Sequence, residues 1–213
     1  MESKCQHTTA INMPVRAQVH CADGPCGRCT QVIVNPRTQQ VTHLVVKPSK
    51  APRTERLVPM KFVVGTDRNG IRLGCTKGEL AKTEPFIETE WVQVDLRYFD
   101  PMVDEDLAEY SGCSYPLLVE QERVPPGELA VHRHVRVKAT DEQVGRVGEF
   151  LVDPVDGRIT HLVLCKGPLW GQKKASIPAS HIDRIEDTIH LKLDKLGVKA
   201  LTGRATNRRW QRR

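Results

Sequence analysis

The sequence predicts a mainly β protein made of two small β-barrels related by internal duplication, joined by an aromatic-rich, acidic segment. Three observations carry this expectation. Gly27 to Val46 (GRCTQVIVNPRTQQVTHLVV) and Gly145 to Leu164 (GRVGEFLVDPVDGRITHLVL) align without a gap, and self-similarity at a fixed offset marks a repeated unit. Both copies alternate apolar and polar residues about a turn signal, which is the pattern of a hairpin. The longest apolar runs are strand-sized, so no transmembrane helix is expected.

Within the hairpin, Val32 and Val34 alternate with Gln31 and Ile33. Asn35-Pro36 or Asp153-Pro154 starts the turn, and Val41, Leu44, Val45 and Val46 return. Asp156-Gly157 adds a residue that accepts positive φ where a tight turn demands it. The match continues through Leu57-Val58-Pro59 against Ser176-Ile177-Pro178, and through Ile71-Arg72-Leu73 against Ile189-His190-Leu191. Each copy is therefore read as about five short strands.

These features resemble the PRC-barrel family, the small β-barrel shared by the H subunit of purple bacterial photosynthetic reaction centres and the C-terminal domain of the ribosome maturation factor RimM. The resemblance rests on the Gly-Arg strand (Gly27, Gly145), the Asn/Asp-Pro turn, the Leu-Val-Val strand and the Val/Ile-Pro that opens the next strand. It covers roughly residues 14–78 and 132–195. What it implies is a tandem PRC-barrel protein of prokaryotic type, a cytoplasmic, non-enzymatic adaptor that seats on a larger assembly, photosynthetic or ribosome-associated. On this reading another barrel is expected where RimM has its N-terminal domain.

The expected organisation is a mobile N-terminus over 1–13, a first barrel over 14–80, a connector over 81–130, a second barrel over 131–196 and a basic tail over 197–213. Val124-Pro-Pro-Gly127 reads as a hinge, which predicts separate barrels and independent folding of residues 128–213. The connector holds Phe86, Trp91, Tyr98, Phe99, Tyr110 and Tyr115, six of the chain's ten aromatics. Flexible linkers are poor in aromatics, so it is expected to pack onto a barrel. Its acidic run Asp104-Glu105-Asp106 is read as the cap of a short helix or as a partner for the chain's own basic loops.

The net charge of +6 allows an anionic partner without requiring one. Cations gather in three places. The first is the connection Lys47 to Arg56, with Lys50 and Arg53. The second runs from Lys166 to Lys174, with Lys173 and with Trp170 as its aromatic. The third is the tail, with Arg208, Arg209 and Trp210. These are the candidate contacts for a partner: a protein is expected, RNA is the alternative, and a membrane enters only through a partner or the basic tail. No RNA-module signature accompanies the charge.

Seven cysteines, an odd number, fit a reducing compartment better than a disulfide framework. Cys21, Cys26 and Cys29, with Cys75 or His20, offer thiolates at zinc-like spacing. The duplication argues for the other reading, because Cys26 and Cys29 align with Val144 and Val147 and so look like small buried hydrophobes. His43 and His161 share one repeat position, on a face with Val41 and Val45 or with Ile159 and Val163. They are read as structural histidines, with a paired metal site or pH switch as the alternative. No phosphate-binding loop, nucleophile elbow or His-Glu-x-x-His helix is present. No cofactor, favoured metal or catalytic residue is therefore assigned, and an enzyme is the runner-up to a binding module.

Overall fold

The computed structural model describes residues 11–14, 17–67, 70–95, 114–132, 135–165 and 175–204. In order, β1 is Ile11–Pro14, β2 Gln18–Cys21, β3 Gly24–Asn35, β4 Gln40–Pro48, β5 Arg56–Pro59, β6 Val63–Asp67 and β7 Gly70–Leu73. After the helix α1 (Lys77–Lys82) come β8 (Ile87–Asp95) and β9 (Ser114–Glu122). The second half contains β10 Leu129–His132, β11 Arg136–Lys138, β12 Gln143–Val152, β13 Ile159–Cys165, β14 Ala175–Pro178, β15 Ile182–Ile185, β16 Thr188–Leu191 and the helix α2 (Lys195–Arg204). The protein is mainly β, and no helix among the described residues is long and apolar enough to cross a membrane.

The two large curled sheets repeat one strand order, β5-β4-β3-β2-β7-β6 in the first and β14-β13-β12-β11-β16-β15 in the second. The turn chemistry read from the sequence explains both long hairpins. Asn35 Oδ1 accepts from the backbone N–H groups of Arg37 and Thr38, and Asp153 Oδ1 from that of Val155. Gly157 sits at φ +74°, and the equivalent Gln39 takes φ +53°, the left-handed region where a side chain is tolerated at a cost. The repeated Thr-His pair has a reason as well. The ladder slips at Thr42 and Thr160, leaving each as the extra residue of a β-bulge. Their hydroxyls donate back to the carbonyls of Ile33 and Leu151.

Each sheet has a seventh strand, and it comes from the other half. β1 pairs antiparallel with β12, Ile11 opposite Val152. β10 pairs in the corresponding way with β3, Leu129 opposite Val34. The exchange corrects two expectations. Residues 11–13 are not a mobile end, because Ile11 and Met13 are buried in the core. Nor are the halves separate, because one apolar cluster contains Met13, Val32, Val34 and Leu44 together with Val131, Phe150, Leu162 and Ile177. Non-local pairing of this kind leaves no local pattern, since a four-residue apolar strand says nothing about which sheet receives it. The halves meet again at the hairpin roots, where Val41 N–H donates to Gly157 O and Ile159 N–H to Gln39 O.

The far boundaries move too. α2 runs to Arg204 with Val198 buried, so the residues just after 196 are helical. Both helices are held by side chains from the β-hairpins: Asp23 Oδ1 accepts from Lys77 N–H and Asp141 Oδ1 from Lys195 N–H, satisfying donors that a helix start leaves open.

Candidate functional site

The first basic connection leaves the end of β4, crosses the surface and enters β5, with a hollow on each side. One hollow, of about 450 Å³, is lined by Gln18, Arg28, Thr30, Lys47 and Arg53. The register creates its charge, because Arg28 and Lys47 stand directly opposite each other on β3 and β4. Like charges in that relation cost stability. Gly27 makes the approach possible: a Cβ there would lie 2.4 Å from the Lys47 carbonyl oxygen. The Gly-Arg pair, read from the sequence as a fold feature, is thus also what sets Arg28 beside the basic loop. Glu55 Oε1 lies 3.8 Å from Lys47 Nζ.

The second hollow, of about 210 Å³, is lined by apolar residues, Pro25, Cys26, Pro48, Pro52, Leu80 and Ala81 among them, and by Lys50, Arg56 and Lys77. Arg56 is fixed by donating from Nη1 to Thr83 O at 2.8 Å, and Lys77 Nζ donates to Asp23 O at 3.2 Å. Of the sequence candidates, Lys47, Lys50, Arg53 and Arg56 are therefore brought together. Arg28 and Lys77 join them unforeseen, because strand register and helix placement deliver them and neither is visible in a charge run. Trp170, Lys173, Lys174, Arg208, Arg209 and Trp210 lie outside the described residues, as does the acidic run 104–106.

Of the thiols, Cys26 lines the second hollow. Cys21 Sγ is hydrogen-bonded with Cys26 and Cys75, and Cys26 Sγ donates to Val19 O at 3.2 Å. Cys29 is apart, fully buried, donating to Gln31 O at 3.4 Å. Burial pushes the Cys29 thiol up to about 12. It does the same for Cys21, to about 12, with the Cys26 contact adding to it. Cys75 is raised to about 11, again chiefly by desolvation, and Cys26 is raised for the same reason. All four are buried, and at the positions of Cys26 and Cys29 the other repeat carries Val144 and Val147. Among the described residues no group of three or more His, Cys, Asp or Glu side chains is arranged to hold a metal ion.

His43 shares its face with Val45 but not with Val41, because the bulge at Thr42 turns Val41 into the main core. Its Nδ1 is 3.0 Å from Thr42 Oγ1 and 3.8 Å from Glu128 Oε2, just before β10. That places it among the contacts where the exchanged strand arrives.

The connector departs most from expectation. Phe86 is buried against Ile33, Val45 and Leu57, as packing onto a barrel requires. Trp91, by contrast, is 67% exposed on the two-stranded ribbon of β8 and β9. Aromatic content pointed to packing but not to which aromatic faces solvent, and Tyr98, Phe99 and Tyr110 lie outside the described residues.

No curated protein matches this chain. Residues 137–198, from β11 into α2, match the family model of the PRC-barrel domain.

Proposed function

We propose that this chain is a non-enzymatic docking adaptor built from two PRC-type barrels related by duplication, acting in a reducing, cytoplasmic setting. It would grip an acidic segment of a partner protein in the hollows beside Lys47–Arg56. Support for the duplication is the recurrence of strand order, bulges and exchanged strand at one offset through both halves. The observation that carries the docking reading is the opposed pair Arg28 and Lys47, with Arg53, next to a hollow lined by Pro48, Pro52 and Leu80. A cationic rim beside an apolar lining suits an acidic peptide with an apolar anchor, in which buried contacts supply affinity and rim charges supply orientation and rate. The resemblance to reaction-centre and RimM barrels supports seating on a larger assembly of proteins.

An RNA accessory role is the second reading, favoured by the same cation row, since phosphates need no more than such a row for non-specific binding. Against it, among the described residues no aromatic lines either hollow, and base stacking needs one. The test is capture of partners by the purified chain with and without nuclease and across a salt series. Lys50→Glu with Arg53→Glu is expected to weaken capture of a nuclease-resistant protein partner at least about tenfold, roughly the effect of losing 1.4 kcal/mol. Trp170→Ala is expected to weaken it as well. Binding of single-stranded RNA at physiological salt, with affinity falling steeply as salt rises and no protein left after nuclease, would replace this reading with the second.

A further inference from the structure

Gln18, Arg28 and Lys47 stand in one row across β2, β3 and β4, each directly opposite the next. Residues so placed share a face of the sheet with Cβ atoms about 4.5–5.5 Å apart, so one small group lying over the row is within reach of neighbouring side chains. Arg53 joins them from the loop, and the residues that line this hollow of about 450 Å³ include no carboxylate. Lys47 is 52% exposed along its side chain, with Glu55 at 3.8 Å. Among the described residues no ion pair engages Arg28 or Arg53. Even with Glu55 set against Lys47, the two guanidinium charges remain to be met.

Folding does not account for such a row. Like charges directly opposite one another cost stability, and the exposed ends of Arg28 and Lys47 add nothing to the core. The second half carries a like-charged pair in the same row, but on other strands: Arg136 faces Arg146, and Cys165 stands where Lys47 does. The first half alone sets the pair at the edge of the hollow. What relieves the repulsion there is an anion shared between the cations, and the number of charges selects its kind. A phosphate monoester carries about −1.5 to −2 charges at neutral pH on three acceptor oxygens, so one group accepts from Arg28, Lys47 and Arg53 together. A carboxylate has one charge and two oxygens, which a single guanidinium fork uses up. The phosphodiester of a nucleic acid likewise brings one charge per group.

We propose that the hollow of Arg28, Lys47 and Arg53 is a phosphate-monoester site, and that the partner segment it takes carries a phosphorylated side chain. This rests on the docking reading and names the group by which the partner is gripped. The test is titration of the amide resonances of the full chain, at constant ionic strength, with three probes: N-acetyl-O-phosphoserine amide, N-acetyl-aspartate amide and dimethyl phosphate. The phosphoserine probe is expected to move the amides of Gly27, Arg28, Lys47 and Ser49 and to bind at least about tenfold more tightly than either of the others. Arg28→Gln is expected to weaken that binding several-fold while raising the melting temperature of the unliganded chain, because the opposed charges are relieved; Lys192→Gln, in the second half, is expected to change neither. Equal binding of the aspartate probe overturns the inference and leaves the docking reading with carboxylates as the gripped group. Equal binding of dimethyl phosphate overturns it in favour of RNA. A folded Arg28→Gln chain that binds the phosphoserine probe undiminished overturns it as well. If no probe binds, the inference falls alone where Lys50→Glu with Arg53→Glu still weakens partner capture, and together with the docking reading where it does not.

Discussion

On the outer face of the first sheet Ile33, Val45 and Leu57 are closed over by Phe86 at the root of the ribbon. At the corresponding ladder positions of the second sheet stand Leu151, Val163 and Ser176. The inner faces stay apolar: Leu44 and Leu162, Val58 and Ile177, and Ile71 and Ile189 are equivalent and fully buried, and so are Val32 and Phe150, which differ in size. The difference teaches where a repeated fold is free to vary. The face turned into the shared core must stay apolar in both halves, whereas the outer face can exchange a leucine for a serine and so acquire or lose an attachment. The edge shows the same contrast, with Arg28 opposite Lys47 in the first sheet and Arg146 opposite Cys165 in the second.

The hardest way to break the comparison is to separate the halves. Residues 128–213 carry β10, whose place is on the other sheet, and lack β1, which completes their own. Expressed alone, this fragment is expected to show no cooperative unfolding as a monomer, contrary to what the hinge-like Pro-Pro-Gly suggests. Dispersed amide resonances from a monomeric fragment would show that the exchanged strand is dispensable.

A second contrast lies at Cys29, whose counterpart is Val147. Its folded-state thiol is pushed up by burial from its ordinary value to about 12. A group raised in this way contributes stability that is fully present below about pH 9 and is lost as pH climbs towards 12, because only the unfolded chain ionises there. Urea unfolding of the wild type is therefore expected to weaken above pH 9 by up to about 4 kcal/mol, at ~1.4 kcal/mol per pH unit. Cys29→Val is expected to make that decline shallower, with Cys21, Cys26 and Cys75 keeping their own share of it, while costing under about 1.5 kcal/mol at pH 7. An alkaline limb that is the same in the variant would assign the loss to other groups.

The smallest effect compares the two Gly-Arg glycines. An added Cβ lies 2.4 Å from a backbone oxygen at Gly27 and 3.2 Å at Gly145. Gly27→Ala is expected to destabilise by about 1–3 kcal/mol, the range for overpacking. Gly145→Ala should cost less, and equal losses in thermal unfolding would show that β3 and β4 yield as easily as β12 and β13.

The hairpins, their turns and the strand positions of both repeats were legible because they rest on local chemistry: Asn35 and Asp153 capping their own turns, Gly157 at positive φ, apolar alternation on one face. The exchange of β1 and β10 was not, since Ile11 and Met13 look alike wherever they pair. At the candidate site, Lys47, Lys50, Arg53 and Arg56 were legible as a charged loop. Arg28 was hidden in a motif whose glycine explained it on its own, and Lys77 arrives on a helix that Asp23 positions from the first hairpin. The ribbon escaped for a different reason: Val92 with Leu117 and Trp91 with Leu118 put apolar residues on both of its faces, so alternation gave no inward side.

The exchanged strands also order events in time. Ile11 and Met13 leave the ribosome about 140 residues before Val152 and Phe150, the strand that receives them. At roughly 5–20 residues per second that interval lasts on the order of 7–28 seconds. For that time the nascent chain carries a sticky apolar segment with no lawful place to go. Neither core can close until synthesis is well into the second half, so a chain truncated before β12 leaves the first half's own opening strand as an orphan for proteases or chaperones to find.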